Sequence, residues 1–87
     1  MSTSEKIIDE KLQKAFGRAV KLYRTTSGLS QEALGYSSST DRTYVSGIER
    51  GVRNPTIRTI WRLTEALDTK PSELIVATER FLVEEQR

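Results

Sequence analysis

Apolar residues in this 87-residue chain recur at three- and four-residue steps and nowhere sustain the alternation of a half-buried strand, so the pattern admits helices only. Caps and glycines interrupt it repeatedly, which keeps the helices short. The first segment, from about Asp9 to Thr26, sets Ile8, Leu12, Ala15, Phe16, Ala19, Val20 and Tyr23 on one face and stops at Gly28. Met1 to Ser4, small and polar, is expected to be disordered. Ser30 caps a second helix, Gln31 to about Tyr36, with Ala33 and Leu34 facing inward. The hydroxyl-rich run from Ser37 to Thr40 reads as a turn. Asp41 caps a third helix from Arg42 to about Arg50, with an apolar stripe of Tyr44, Val45 and Ile48. Arg42, Thr43, Ser46, Gly47 and Arg50 fall on or beside the opposite face. After an Asn54-Pro55 loop, Thr56 caps a fourth helix, 57 to 67, with Ile57, Ile60, Leu63, Thr64 and Leu67 inward. Pro71 then opens a fifth helix carrying Leu74, Ile75, Phe81 and Leu82.

A chain of this length holds one small core. With no cysteine and no histidine, it lacks the means for disulfides, thiolate or imidazole metal sites, Cys or His nucleophiles and Ser-His-Asp triads. No catalytic residue, metal or cofactor is therefore expected, and an enzyme is the weakest reading. Apolar runs fall far short of the ~20 residues of a membrane span. No signal peptide is legible, so the expectation is a cytoplasmic protein with no membrane partner. The net charge of +2 hides an asymmetry: residues 1–64 carry +5 and residues 65–87 carry −3. From Arg42 to Arg62 there are five arginines and one acid, Glu49. A basic middle suits a polyanion, and an acidic end suits a different partner. The plain alternative is a solvated helix face.

Two short helices joined by a tight turn, the second presenting arginine and small polar side chains, have the form of a helix-turn-helix that sets one helix into the major groove of DNA. The stretch SQEALGYSSSTDRTYVSGIERGVRNPTIRTI resembles the phage-repressor-like (XRE-type) helix-turn-helix family, in its SQ start, its turn, its S-x-I-E-x-G close and its N-P loop. With the lead-in from Arg24 to Gly28 and the tail from Leu67 to Leu74, the likeness covers roughly residues 12–76. Within the family, DRTYVSGIERG is similar to the controller proteins of restriction-modification systems.

This resemblance implies an all-α, five-helix, lambda-repressor-like DNA-binding domain. It divides the chain into an N-terminal arm or helix lead-in (1–8), the helix-turn-helix domain (9–76) and a C-terminal helical extension (77–87). It assigns Arg42, Thr43 and Ser46 to base reading, with Ser46 and Arg50 along the groove or its backbone. Gln31, Arg50, Arg53, Asn54 and Thr56 go to phosphates, with Gln31 also bracing the recognition helix, and Arg24 and Glu49 become a structural ion pair. The chemistry agrees: arginine offers a two-pronged donor to guanine, threonine a hydroxyl and a methyl suited to thymine, and loop cations neutralise phosphate. Three residues depart from the family pattern. Gly35 and Thr64 stand where alanine is usual, and Ser39 where the turn often has glycine. Gly35 is expected to leave the second helix short or frayed.

One recognition helix reads only a few base pairs, so regulators of this kind use two half-sites and a symmetric dimer. Trp61, Leu74, Ile75, Phe81 and Leu82 are the expected dimer interface; for Trp61 the alternative is a core aromatic covered by the fifth helix. The expected function is a transcriptional regulator that binds a symmetric double-stranded DNA operator as a homodimer. The alternative is an antitoxin or other partner-binding helical protein that holds a second protein through its C-terminal helix and autoregulates its operon.

Overall fold

The computed structural model describes residues 3–85, which form five helices: α1 (Thr3–Thr26), α2 (Gln31–Ser38), α3 (Arg42–Glu49), α4 (Ile57–Ala66) and α5 (Pro71–Glu85). Each of the three middle helices starts on a side-chain cap. Ser30 Oγ accepts from the Ala33 amide at 3.0 Å, Asp41 Oδ1 from Thr43 at 2.7 Å and Thr56 Oγ1 from Thr59 at 3.2 Å. α1 starts at Thr3 instead of Asp9. Residues 4–8 contain no helix breaker, and Glu5 in the first turn complements the positive helix end. Of the segment expected to be disordered, Thr3 and Ser4 are helical, and Met1 and Ser2 lie outside the described residues. The last two residues of the expected C-terminal extension, 86 and 87, also lie outside. α5 is one unbroken helix across residues 76 and 77.

α1 packs along α5 and α3, and α2 packs on α3 and α4. Between them lie Phe16, Ala19 and Val20 of α1, Leu34 of α2, Val45 and Ile48 of α3, Leu63 and Leu67 at α4, and Leu74 of α5. Three residues expected inside are outside: Ile8 is 56% exposed, Leu12 45% and Ile57 73%. Ile57 opens α4 and Ile8 lies in the second turn of α1, ahead of the buried part of its stripe, which begins at Ala15, whereas Leu12 lines a pocket with Phe16, Ile60, Ile75 and Leu82. Thr64 is buried without penalty because its hydroxyl donates to the Trp61 carbonyl at 2.9 Å.

The backbones of α1 and α3 touch at Gly17, where an added Cβ would stand 2.3 Å from the Ile48 carbonyl oxygen and 2.7 Å from that of Glu49. Neither oxygen can move without shifting α3, so Gly17→Ala should destabilise the domain by about 1 to 3 kcal/mol although alanine is the better helix former. A thermal melt checks it, and an unchanged or raised Tm would contradict this close approach.

Candidate nucleic-acid interface

The turn between α2 and α3 fixes the site. Ser39 ends α2 in the left-handed region, φ 56° and ψ 40°. The Thr40 N–H then donates back to the Gly35 carbonyl at 2.8 Å. That bond brings the two backbones so close that a Cβ on residue 35 would lie 2.6 Å from the Thr40 oxygen. Gly35 is thus the residue that lets the turn close, and α2 runs unfrayed to Ser38, contrary to the expectation of a short helix. Ser39 occupies the strained position. Ser39→Gly should stabilise the domain by about 0.5 to 1 kcal/mol, as relief of the left-handed strain exceeds the added chain entropy of glycine. Chemical denaturation reads it; a loss of stability would mean that the hydroxyl holds the turn.

α3 is seated by a buried ion pair. Arg24 at the end of α1 donates from Nε and Nη2 to Glu49 at 2.5 and 2.9 Å, and from Nη1 to the Leu29 carbonyl at 2.8 Å. The two side chains are only 11% and 3% exposed. Gln31, the first residue of α2, donates from Nε2 to Glu49 Oε1 at 3.1 Å. One carboxylate therefore ties together the end of α1, the start of α2 and the end of α3. The hydrogen bond to Glu49, reinforced by its charge, holds the Arg24 guanidinium above its ordinary pKa against the opposing effect of burial.

With α3 so held, Arg42 and Thr43 of its first turn are exposed, as is Arg50 at its end, while Ser46 is half-buried. Ser46 and Arg50 meet across one turn, the Arg50 Nε donating to the Ser46 hydroxyl at 3.4 Å. Asp41 is fully exposed, and two hydrogen bonds from Thr43, first from its hydroxyl and then from its amide, hold the Asp41 carboxyl below the usual carboxylate range. Arg53 folds back from the loop so that its guanidinium lies over the Tyr44 ring, 5.8 Å from the centroid. Its Cγ would be 2.6 Å from a Cβ on residue 47. Gly47, expected on the open face, is therefore buried, with Arg53 lying against it. Asn54 is exposed, and Thr56 is occupied as the α4 cap.

All five arginines between residues 42 and 62 are exposed, whereas Glu49, the only acid in that stretch, is engaged by Arg24 and Gln31. The surface is thus more positive than the sequence count suggests. Sequence reasoning missed Tyr44 as a support for Arg53. Its place in the apolar stripe gave it a purely internal role, and nine residues of separation gave no sign that the loop returns to it.

The expected dimer residues divide. Leu74 is fully buried in the core of its own chain, which removes it from any interface. Phe81 is half-covered, with the Arg18 guanidinium 4.3 Å from its ring centroid and Arg18 paired to Glu84 at 3.2 Å. Leu82 is half-buried. Trp61 is 52% exposed and Ile75 43%, and together with Ile57 and Val76 they line an apolar groove between α4 and α5. The fifth helix therefore leaves Trp61 half-uncovered. Among the described residues no group of three or more His, Cys, Asp or Glu is placed to hold a metal ion, and no helix is long and apolar enough to cross a membrane.

A helix-turn-helix with an exposed basic second helix defines a class, and the comparisons agree with it: residues 20–74 match the helix-turn-helix family HTH_3. The chain belongs to this family. It is 39% identical over 61 residues to control protein C.BamHI of Bacillus amyloliquefaciens, covering 69% of this chain and 75% of that one. Among solved structures, the restriction-modification controller protein C.AhdI of Aeromonas hydrophila superposes with a TM-score of 0.71 at 47% identity, covering 71% of this chain and 94% of C.AhdI. The restriction-modification controller C.Esp1396I, determined as a tetramer on its natural 35 base-pair operator, superposes with a TM-score of 0.76 at 32% identity over 83% of this chain and 95% of that one.

Proposed function

We propose that the protein is a sequence-specific DNA-binding regulator of transcription, of the restriction-modification controller kind, which acts in the cytoplasm as a symmetric homodimer and catalyses no reaction. One observation carries this: α3 presents Arg42 and Thr43 in its exposed first turn, while Glu49, the only acid between Arg42 and Arg62, is withdrawn into a buried ion pair. Arg42 and Thr43 read base edges with Ser46 beside them. Arg50, Arg53, Asn54 and the amide end of Gln31 and α2 engage phosphates. The groove around Trp61 and Ile75, flanked by Ile57 and Val76, is the surface on which a second copy docks, and it lies on α4 and α5, not on α3.

Selection from a random double-stranded DNA pool tests this reading. The expected product is a two-fold symmetric site with half-sites about one helical turn apart; an enriched site without symmetry would contradict the dimer, and no enrichment would contradict sequence reading. Arg53→Ala should weaken all sequences alike and flatten the salt dependence by about one unit. A loss confined to the selected site would instead make Arg53 a base reader.

A further inference from the structure

We infer that Asp41 sets the hydrogen-bonding sense of Thr43, so that this threonine meets DNA as an acceptor and a methyl group and never as a donor. The inference rests on the DNA-binding reading above and concerns which base pair that reading selects.

A threonine hydroxyl has a single proton to donate, and its position in a helix decides where that proton goes. Thr25, Thr64 and Thr78 sit deep enough in their helices to donate to carbonyls three or four residues earlier, at 2.8, 2.9 and 2.8 Å. Thr43 is the second residue of α3, so the carbonyls at those offsets belong to the turn before the helix begins. Its hydroxyl donates instead to Asp41 Oδ1, the same oxygen that accepts from the Thr43 amide at 2.7 Å. A hydroxyl has one proton and two lone pairs. With the proton committed to Asp41, only the lone pairs and the methyl remain for a ligand. Asp41 is ionised throughout the neutral range, because both bonds from Thr43 favour its charged form, so the commitment does not lapse. This also gives a use to an acid, repelled by phosphate, at the exposed start of a helix that opens on Arg42 and is followed by Arg50 and Arg53.

The major-groove edges then separate into two groups. A lone pair is satisfied by the amine of adenine or cytosine and repelled by O6 and N7 of guanine and O4 of thymine. The methyl packs only against the thymine methyl. Each base pair offers one amine in the major groove beside at least one acceptor, so the sense of the hydroxyl tells amino bases from keto bases. At the base it faces, Thr43 therefore selects adenine or cytosine over guanine or thymine, and its methyl adds a preference where a thymine methyl lies within reach.

The test is a double-mutant cycle read as relative affinity for operators carrying an amino base (adenine or cytosine) or a keto base (guanine or thymine) at the position, in each half-site, whose identity responds to Thr43→Val. Asp41→Ala frees the hydroxyl to donate and should shift the amino-to-keto ratio toward the keto bases by about two- to tenfold, the worth of one hydrogen bond. In the Thr43→Val background the same Asp41→Ala change should alter both affinities equally. Asp41→Asn keeps the accepting oxygen and should restore the wild-type ratio; it also guards against a variant that simply loses the helix cap. The inference is overturned if Asp41→Ala leaves the ratio unchanged, if it shifts the ratio equally in both backgrounds, or if Asp41→Asn behaves like Asp41→Ala. A wild-type protein without any sequence preference would instead sink the DNA-reading function itself.

Discussion

Glu49→Ala should lower the free energy of unfolding by about 3 to 5 kcal/mol, a large share of what an 87-residue domain has. The reason lies in what remains behind. Without the carboxylate, the Arg24 guanidinium, 11% exposed, keeps only the Leu29 carbonyl as partner, and Gln31 loses the acceptor that fixes the start of α2. The cost is that of an uncompensated buried charge, so removing both members should cost less than the sum of the two single changes. Arg24→Met with Glu49→Leu measures that coupling. If Glu49→Ala melts like the wild type, the ion pair does not seat the recognition helix.

Arg42→Ala should weaken binding to the selected operator by about 1 to 3 kcal/mol per half-site, and in a symmetric dimer both half-sites lose it. Stability should hardly change, because Arg42 is exposed and caps nothing. Preference should relax at one position in each half-site, while affinity for random DNA falls only by the worth of one phosphate-attracting charge. Equal losses on selected and random DNA, read by titration at fixed salt, would remove Arg42 from base reading and leave it as a general cation.

The residues that were legible in the sequence share a local cause. Ser30, Asp41 and Thr56 cap their helices because capping depends on a side chain and the amides two or three residues ahead. The Arg24–Glu49 pair was legible only through the family resemblance, since 25 residues separate its members. What escaped depends on which elements approach one another. Gly35 looks like a poor helix residue until Thr40 returns to within bonding distance of its carbonyl. Gly47 looks exposed until Arg53 folds over it. Leu74 and Ile75 are neighbours in one apolar run, yet one is sealed in the core and the other faces a groove; helical spacing gives the stripe but not how much of it α1 and α4 cover. Thr43 was assigned a contact without its hydrogen-bonding sense, which the Asp41 geometry supplies.

The proposed dimer uses two different faces of the domain. The basic α2–α3 surface and the apolar groove of α4 and α5 are separate surfaces of one small domain, so two copies can join through one while both present the other to DNA. Dilution should therefore reduce affinity for a two-half-site operator before it unfolds the chain.

The most direct measurement is the ratio of equilibrium affinities for the selected symmetric site and for a scrambled duplex of the same length and composition, taken across a salt series. For a sequence-reading protein the ratio is expected to be at least about 10³ at physiological salt, with both affinities falling steeply as salt rises. A ratio near one at every salt concentration would contradict it, because the exposed arginines would then be serving charge alone.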